Sequence, residues 1–596
     1  MVEKKTATEE KNLSRRDFLR NTGILAGGAV LGTGLLAGCS DSAAKAEAPP
    51  PVEQTWDYEA DVVIIGLGGA GASAAIEAHD AGAKVLVIEK QSEKTHYPNT
   101  RMSGGVWHNP DPMGDRGARV EYIKAMMSGE NIPWKNEGEQ EHVSAEMAEM
   151  FADGIMDVEN FLMTQAPDLD PAGMAPGGEA SFPMFPKFKE AKYGKTINTR
   201  YKDFQNADAN VPAYEQPKEQ KSAGEAFYWA LVEEGIKGKR PEIQILFSTP
   251  AKRLIQGENG EIRGVIATQG DKEIKVKAKR AVVLSSGGYE YNLPMRRAFL
   301  EGPGVTGWGF YGSPDNTGDG IEMAILVGAG LVKVAKAASR IESAFPHGKN
   351  WDEKGLKMGS NTSVTSSKNS VIVDNFGKRY TDEHIITDST RPYRYQFYKE
   401  AVHYDLLTMN YPRIPSWIIF DETRRTSSPV VGTSGSTVGY GFLPWSKDNL
   451  DAIQRGWILK ADTLEELAAK IKADPENREL IDTQTLIDNV KKFNEYCAAG
   501  VDKDFGRTPA TMGPVEKPPF YAMKLYPGGP NTKGGIDANA KREALDWNAK
   551  PIPRLYTAGE ISSVFKFTYQ AGGNLTECIV CGRVAGKNAA GQTPWS

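Results

Sequence analysis

A chain of 596 residues is too long for one hydrophobic core. With 40% hydrophobic and 25% charged residues it has the composition of a soluble globular protein, and a net charge of −6 with a pI near 5.9 gives no electrostatic reason to expect a nucleic-acid partner. Four cysteines exclude a disulfide scaffold and a zinc framework, and the histidines form no i,i+4 pair, so no metal is expected.

Ser14-Arg15-Arg16-Asp17-Phe18-Leu19 has the pattern of a twin-arginine export signal, followed by a Gly- and Ala-rich apolar stretch, Gly23 to Gly38. That stretch is too short and glycine-rich for a membrane span. It ends in Leu36-Ala37-Gly38-Cys39, which resembles a lipobox and would make Cys39 a lipidated first residue. Cleavage near Ala44-Lys45-Ala46 or Ala46-Glu47-Ala48 would instead release a soluble protein. Lipidation is the favoured reading. Residues 1–39 are then the signal and 40–57 a flexible tether. The protein would sit in the periplasm or on the outer face of the cytoplasmic membrane, held by its lipid anchor.

Asp61 to Glu89 reads as a βαβ unit. Apolar Val62 to Ile65 passes into Gly66-x-Gly68-x-x-Gly71, then a small-residue helix, then apolar Val85 to Ile88 and Glu89. This is the dinucleotide fingerprint in its proper context. Gly66 permits the tight turn, Gly68 a close approach of backbone to pyrophosphate, and Gly71 close helix–strand packing. The pyrophosphate would sit at the helix N-terminus. Glu89 would accept from the adenosine ribose, and its charge would repel a 2′-phosphate.

Ser103-Gly104-Gly105 follows, where glycines would let backbone approach a flat ring or simply make a turn before a helix. His96 is a weak candidate for covalent flavin attachment. Residues 117–240 look largely helical, and 221–236 is an amphipathic helix read as core packing. From Ile243 the pattern turns to strands, with a hairpin signal at Glu258-Asn259-Gly260. A buried strand ends in Ser285-Ser286-Gly287-Gly288, and Asn316-Thr317-Gly318-Asp319-Gly320 opens an apolar helix. Residues 331 to about 510 read as a mixed insertion. Leu555-Tyr556-Thr557-Ala558-Gly559-Glu560 returns to the first domain, and Ala571-Gly572-Gly573-Asn574-Leu575-Thr576-Glu577 enters the last helix.

Together these motifs resemble the flavoprotein family of fumarate reductases and succinate dehydrogenases, with urocanate reductase and ketosteroid dehydrogenase relatives. The likeness covers roughly residues 58 to 592. It implies an α/β fold: a discontinuous Rossmann-like FAD-binding domain (58–330 and 511–596) with an inserted α+β capping domain (331–510). It implies non-covalent FAD held by Gly66, Gly68, Gly69, Ala70, Gly71, Glu89, Lys90, Ser103, Gly104, Gly105, Gly287, Asp319, Glu560, Gly573, Asn574 and Leu575. The last helix would aim its positive end at the flavin N1/C2 carbonyl, where reduced flavin carries charge.

The departures from the family bear on substrate. Phe345 stands where the fumarate reductases have a histidine, Pro530 and Asn531 where they have a second, and Gln570 where an arginine grips a carboxylate. Glutamine cannot replace that charge. The family's proton-donating arginine falls, ungapped, on Thr387; Arg391 lies one helical turn later. Tyr569 is the alternative acid, by likeness to the ketosteroid branch, or else packs on the flavin edge. Arg379 and Arg394 complete the cap candidates. Cys578 and Cys581 read as buried small hydrophobes.

The expectation is an exported FAD-dependent oxidoreductase acting on a CH–CH bond, reducing the C=C of an unsaturated carbonyl or carboxylate compound other than fumarate. Its electrons would come from a separate donor such as a membrane-associated cytochrome or quinol-linked protein. The rival readings are a ketosteroid-type dehydrogenase running oxidatively and a lipid-anchored flavin- or ligand-binding protein without turnover.

Overall fold

A computed structural model describes residues 55–108, 115–128, 145–167, 169, 174–177, 194–197, 223–303, 306–337, 340–346, 356–360, 367–383, 399–433, 437–565 and 572–595. The twin-arginine segment and Cys39 lie outside the described residues.

The first layer is a mostly parallel sheet. Tyr58–Ile65 leads through the glycine turn into helix Gly69–Asp80 and on to strand Val85–Ile88. The two strands run parallel, in register from Val62 opposite Val85 to Ile65 opposite Ile88. On its other edge Tyr58–Ile65 pairs in parallel with Lys272–Leu284, which pairs with Pro551–Thr557. Gln244–Leu246 extends the sheet beyond Val85–Ile88. Val62, Val63, Ile64 and Ile65 are all buried, as a strand covered on both faces requires. The hairpin expected around Gly260 is present, with Ala251–Gln256 antiparallel to Ile262–Gln269 and Gly260 at φ +82°. Lys272–Leu284 serves twice, closing the hairpin with its first half and joining the parallel sheet with its second.

The last helix, Gly573–Ala590, lies directly on Gly69–Asp80. A Cβ on Gly582 would stand 2.5 Å from the Ala70 carbonyl oxygen, and one on Gly586 2.3 Å from that of Ala74. Small residues four apart on both helices therefore let the two backbones touch. This contact ties the C-terminus to the fingerprint and brings both helix N-termini to the same side of the sheet.

The second sheet runs in the order Gly309–Phe310, Lys357–Ser360, Arg340–Pro346, Phe520–Gly529, Ser416–Asp421, Ser370–Val373. One face buries Ile341, Phe345 and Trp445; the other buries Val371 and Trp417 beneath helices Leu464–Lys472 and Thr483–Ala499. This sheet is wider than the 331–510 expected for the insertion, because Gly309–Phe310 and the long strand Phe520–Gly529 belong to it. Leu331–Ala337 pairs antiparallel with Thr532–Ile536, so the chain leaves and re-enters the first half side by side. The architecture is the α/β one implied by the resemblance: a discontinuous Rossmann-like domain carrying an α+β cap.

The region read as largely helical holds helices Arg116–Ser128, Ala145–Gly154, Val158–Gln165 and Ala223–Trp229, the last continuing as a π-helix to Gly238. It also contributes to a small sheet in which Gly194–Ile197 pairs with Val106–His108 and Met174–Gly177. Strands of three or four residues leave no legible period. No helix among the described residues is long and apolar enough to cross a membrane.

Candidate cofactor and active site

A cleft opens at the carboxyl ends of the parallel strands, lined by Ile65 to Ala70, Glu89, Lys90, Ser285 to Gly287 and Glu560. That is where an open α/β sheet binds its ligand. The glycines do what the fingerprint requires. Gly66 sits at φ +96°, and a Cβ there would be 2.8 Å from the Ser285 carbonyl oxygen. A Cβ on Gly71 would be 1.9 Å from the Gly66 carbonyl oxygen. At Gly68 the nearest such contact is 3.7 Å away, so its backbone stands open to the cleft. The N-cap residue Gly68 offers helix Gly69–Asp80 no side-chain acceptor, and although Gly69 N is taken by Thr100 Oγ1, the positive dipole end of the helix faces the cleft and favours an anion.

Glu89 is buried at the end of its strand and accepts from Leu67 N and Gln91 N, each at 2.8 Å. His96 Nε2 stands 3.4 Å from its Oε2, and His96 Nδ1 is 2.7 Å from the Tyr228 hydroxyl. Burial pushes the Glu89 carboxyl up, but His96 and the two backbone N–H groups outweigh it and hold it below the usual range. Lys90 Nζ donates to Thr317 Oγ1 and Asp319 Oδ2, both at 2.7 Å, bridging the fingerprint to the NTGDG segment. Thr100 Oγ1 accepts from Gly69 N at 2.9 Å.

Farther along, Glu560 accepts from Asn99 Nδ2 at 2.9 Å and comes within hydrogen-bonding reach of Glu290. Burial raises the Glu560 carboxyl well above its ordinary value and the Glu290 charge raises it further; burial raises Glu290 as well. The last helix begins beside them. Gly572 sits at φ +82°, and a Cβ there would be 2.4 Å from the Trp107 carbonyl carbon, so strand Val106–His108 lies across this helix start. Asn574 Nδ2 donates to Asn531 Oδ1 at 2.7 Å, and its Oδ1 accepts from the buried Lys533.

Of the expected cofactor residues, Gly66, Gly68, Gly69, Ala70, Glu89, Lys90, Gly287, Asp319 and Glu560 line the cleft. Gly573, Asn574 and Leu575 form the start of the last helix, with Asn531 bonded to Asn574. Ser103, Gly104 and Gly105 are not among the residues lining this cleft. A Cβ on Gly105 would be 2.3 Å from the Ala223 carbonyl carbon, so that glycine lies against helix Ala223–Trp229, whereas Gly104 is exposed with open space around it. Phe345 is not among the residues that line the cleft. It is buried in the cap core, its ring 4.8 Å from Trp457 and 5.3 Å from Trp445. Arg379 is likewise occupied, bonding both oxygens of Glu383 at 2.8 and 2.9 Å and reaching Asp502 at 3.0 Å. Tyr569, Gln570, Arg391 and Arg394 lie outside the described residues. The Cys581 thiol is buried and pushed up to about 12 by desolvation, which makes it inert; Cys578 touches the cleft and is raised in the same way.

Lining residues not put forward as cofactor contacts include Gln91, Asn99 and Thr100, which sit on a loop with no motif of its own; Ser286 and Asn316 belong to the SSGG and NTGDG motifs, and His96 lines the cleft beside Glu89. Pro98-Asn99-Thr100 carried a turn signal that could have marked the loop, but not its partner.

Residues 61–575 match the family described as an FAD binding domain, and the chain belongs to it. It is 28% identical to digoxin reductase of Eggerthella lenta over 98% of each chain. It is 27% identical to 3-oxosteroid 1-dehydrogenase of Mycobacterium tuberculosis over 90% of this chain and 99% of that one. The fold is shared with 3-ketosteroid Δ1-dehydrogenase of Sterolibacterium denitrificans, at a TM-score of 0.69 and 20% identity over 89% of this chain and 99% of that one. The cofactor is FAD, and the cleft fits it. Gly68 leaves room for a pyrophosphate at a helix start whose N-cap residue carries no side chain, and Glu89 supplies a buried charged acceptor beside it.

Proposed function

We propose that this protein is an exported FAD-dependent oxidoreductase that reduces the carbon–carbon double bond of an α,β-unsaturated carbonyl or carboxylate compound other than fumarate. The observation that carries the reading is the 28% identity to a reductase of digoxin along nearly the whole of both chains. Bound FAD, held without a covalent link, would supply two-electron hydride chemistry. The chain's part is to hold the acceptor, keep water out and deliver a proton to the carbon α to the activating group. Tyr569 is the candidate acid, with Arg391 as the alternative, and Gln570 and Arg394 would orient the carbonyl.

The engagement of Arg379 and the glutamine at position 570 support a substrate with few charges. Arg379 spends its guanidinium on Glu383 and Asp502, leaving no fork for a substrate carboxylate. Gln570 stands where the resembling fumarate reductases have an arginine. A dicarboxylate would leave one buried charge without a partner. The twin-arginine segment and Cys39 support export and a lipid anchor, with a separate membrane-linked donor of electrons.

A second reading keeps the site and reverses the direction, as a dehydrogenase of a saturated ring ketone. The likeness to 3-oxosteroid 1-dehydrogenase favours it. The test is the direction in which flavin colour changes. A reductase, reduced anaerobically with dithionite, regains its oxidised spectrum on adding an enone or aryl acrylate. A dehydrogenase is instead bleached by a saturated 3-ketosteroid. Bleaching without any reoxidation by unsaturated compounds overturns the proposal.

A further inference from the structure

Two carboxylates meet at the wall of the FAD cleft. Glu290 follows the Gly287-Gly288 turn beyond strand Lys272–Leu284 and is fully buried. Glu560 follows the neighbouring strand Pro551–Thr557 and lines the cleft. A Cβ on Gly288 would lie 2.2 Å from Glu560 Oε1 and 3.0 Å from Glu290 Oε2, so both side chains crowd the same glycine. The Thr532 hydroxyl stands between them, 3.5 Å from Glu290 Oε1 and 3.4 Å from Glu560 Oε1. A hydroxyl has one proton and can serve only one of them at a time.

The surrounding donors do not satisfy two charges. Thr532 N donates to Glu290 Oε1 at 2.7 Å, and Asn99 Nδ2 donates to Glu560 Oε2 at 2.9 Å. Glu290 Oε2 is buried with no donor among the described residues. The Asn316 amide approaches Glu290 as a donor without reaching full hydrogen-bond geometry, and like Thr532 it is neutral. Lys533 is the cation whose charge acts on Glu560, but its Nζ is bonded to Asn574 Oδ1 and lies 3.3 Å from Ser563 Oγ. Two ionised carboxylates in contact at a buried site repel, and one proton held between them removes the repulsion and supplies the missing bond.

We infer that Glu290 and Glu560 share one proton at neutral pH, and that Glu290 is a positioning residue which keeps Glu560 in a singly charged pair so that FAD is retained. Neither residue reacts. The pair's consequence is electrostatic, because FAD brings a doubly negative pyrophosphate into the same cleft. While the proton is present, the wall carries one negative charge. As pH rises and the proton leaves, a second charge appears, and the cleft turns against its anionic cofactor. The retention is therefore full at and below neutral pH and lost on the alkaline side. The effect concerns FAD alone and holds whichever way the substrate reaction runs.

Glu290→Gln gives the decisive comparison. Its amide N–H is a permanent donor to Glu560 and has no proton to lose in this range. The holoprotein is studied by infrared spectroscopy in H₂O and D₂O, and FAD dissociation is measured from about pH 6 to about pH 10. The native protein should show a protonated-carboxyl C=O band at neutral pH that is missing from both Glu290→Gln and Glu560→Gln. Native FAD affinity should fall about tenfold or more across the alkaline limb, while that of Glu290→Gln stays level. If the native spectrum contains no band that these substitutions remove, the shared proton does not exist. If native protein and Glu290→Gln lose FAD along the same pH curve, the pair does not govern retention. The band is read on native protein and on Glu560→Gln, so a poorly folding Glu290→Gln leaves the first criterion in force.

Discussion

Glu89→Ala separates the two roles that the structure gives this carboxylate. Its oxygens accept Leu67 N and Gln91 N at 2.8 Å each, so truncation leaves one buried and one part-buried amide without an acceptor. Each orphaned amide costs about 1–3 kcal/mol, with or without cofactor. That loss belongs to the fold and is read from unfolding of the apoprotein. FAD binding loses something different, the charged acceptor for its ribose hydroxyls, which is also about 1–3 kcal/mol. In dissociation constant the second loss is about five- to 150-fold. Flavin fluorescence quenching on titrating apoprotein measures it directly. His96 loses the carboxylate 3.4 Å from its Nε2 but keeps its contact with the Tyr228 hydroxyl, so a general collapse of the site is not expected. The decisive outcome is a Kd unchanged within about twofold alongside a lowered melting temperature. Glu89 would then serve only its turn, and the ribose would lie elsewhere.

Gly71→Ala should cost at least about 1–3 kcal/mol and empty the cleft of FAD, because the new Cβ would meet the Gly66 carbonyl oxygen at 1.9 Å; purification with a full flavin complement would contradict the packing. In the cap, Glu383 is held below the usual carboxylate range, where burial is outweighed by Arg379 and Arg507. Its folded value is depressed, so its stabilisation is full above the ordinary glutamate value of about 4.3 and lost as pH falls through the depressed one. Glu383→Gln should destabilise by about 3–5 kcal/mol near neutrality and flatten the acid limb of a urea-unfolding series; an acid limb parallel to the native one would show that the cluster does not titrate. Tyr569→Phe should slow flavin reoxidation by substrate about 100-fold or more with FAD binding kept, and a fully active variant would move the acid to Arg391. Replacing Arg15 and Arg16 with Lys should leave the protein in the cytoplasm, and Cys39→Ala should shift it from membrane to soluble fraction; membrane retention of the latter would end the lipid-anchor reading.

Much of the cofactor half was legible because its determinants are local. Val62 to Ile65, three spaced glycines and Glu89 lie within one βαβ unit, where period and turn chemistry act over a few residues. The last helix was legible for the same reason, although its contact with the first was not. That depends on Gly582 and Gly586 meeting Ala70 and Ala74, a match between distant segments. His96 beside Glu89, and Glu290 beside Glu560, are also products of strand order, which no local pattern encodes. Phe345 and Arg379 show the opposite difficulty. Family position drew them toward the substrate, whereas the register of Arg340–Pro346 turns Phe345 onto Trp457, and Glu383 and Asp502 engage Arg379. A position aligned with a functional one keeps its place in the fold even when its side chain has taken up packing.

The central claim is that reduced FAD in this protein passes its electrons to a carbon–carbon double bond in a substrate larger and less charged than fumarate. A single-turnover experiment in D₂O tests it most directly. Dithionite-reduced holoprotein, freed of excess reductant, is mixed anaerobically with an enone, an aryl acrylate or fumarate, and the flavin spectrum and the product NMR are recorded. The account predicts rapid return of oxidised flavin with an enone or aryl acrylate, a saturated product carrying solvent-derived deuterium at the α-carbon from the acid and at the β-carbon from the exchangeable flavin position, and negligible reoxidation by fumarate. Fast fumarate reduction, with the larger compounds inert, would contradict it.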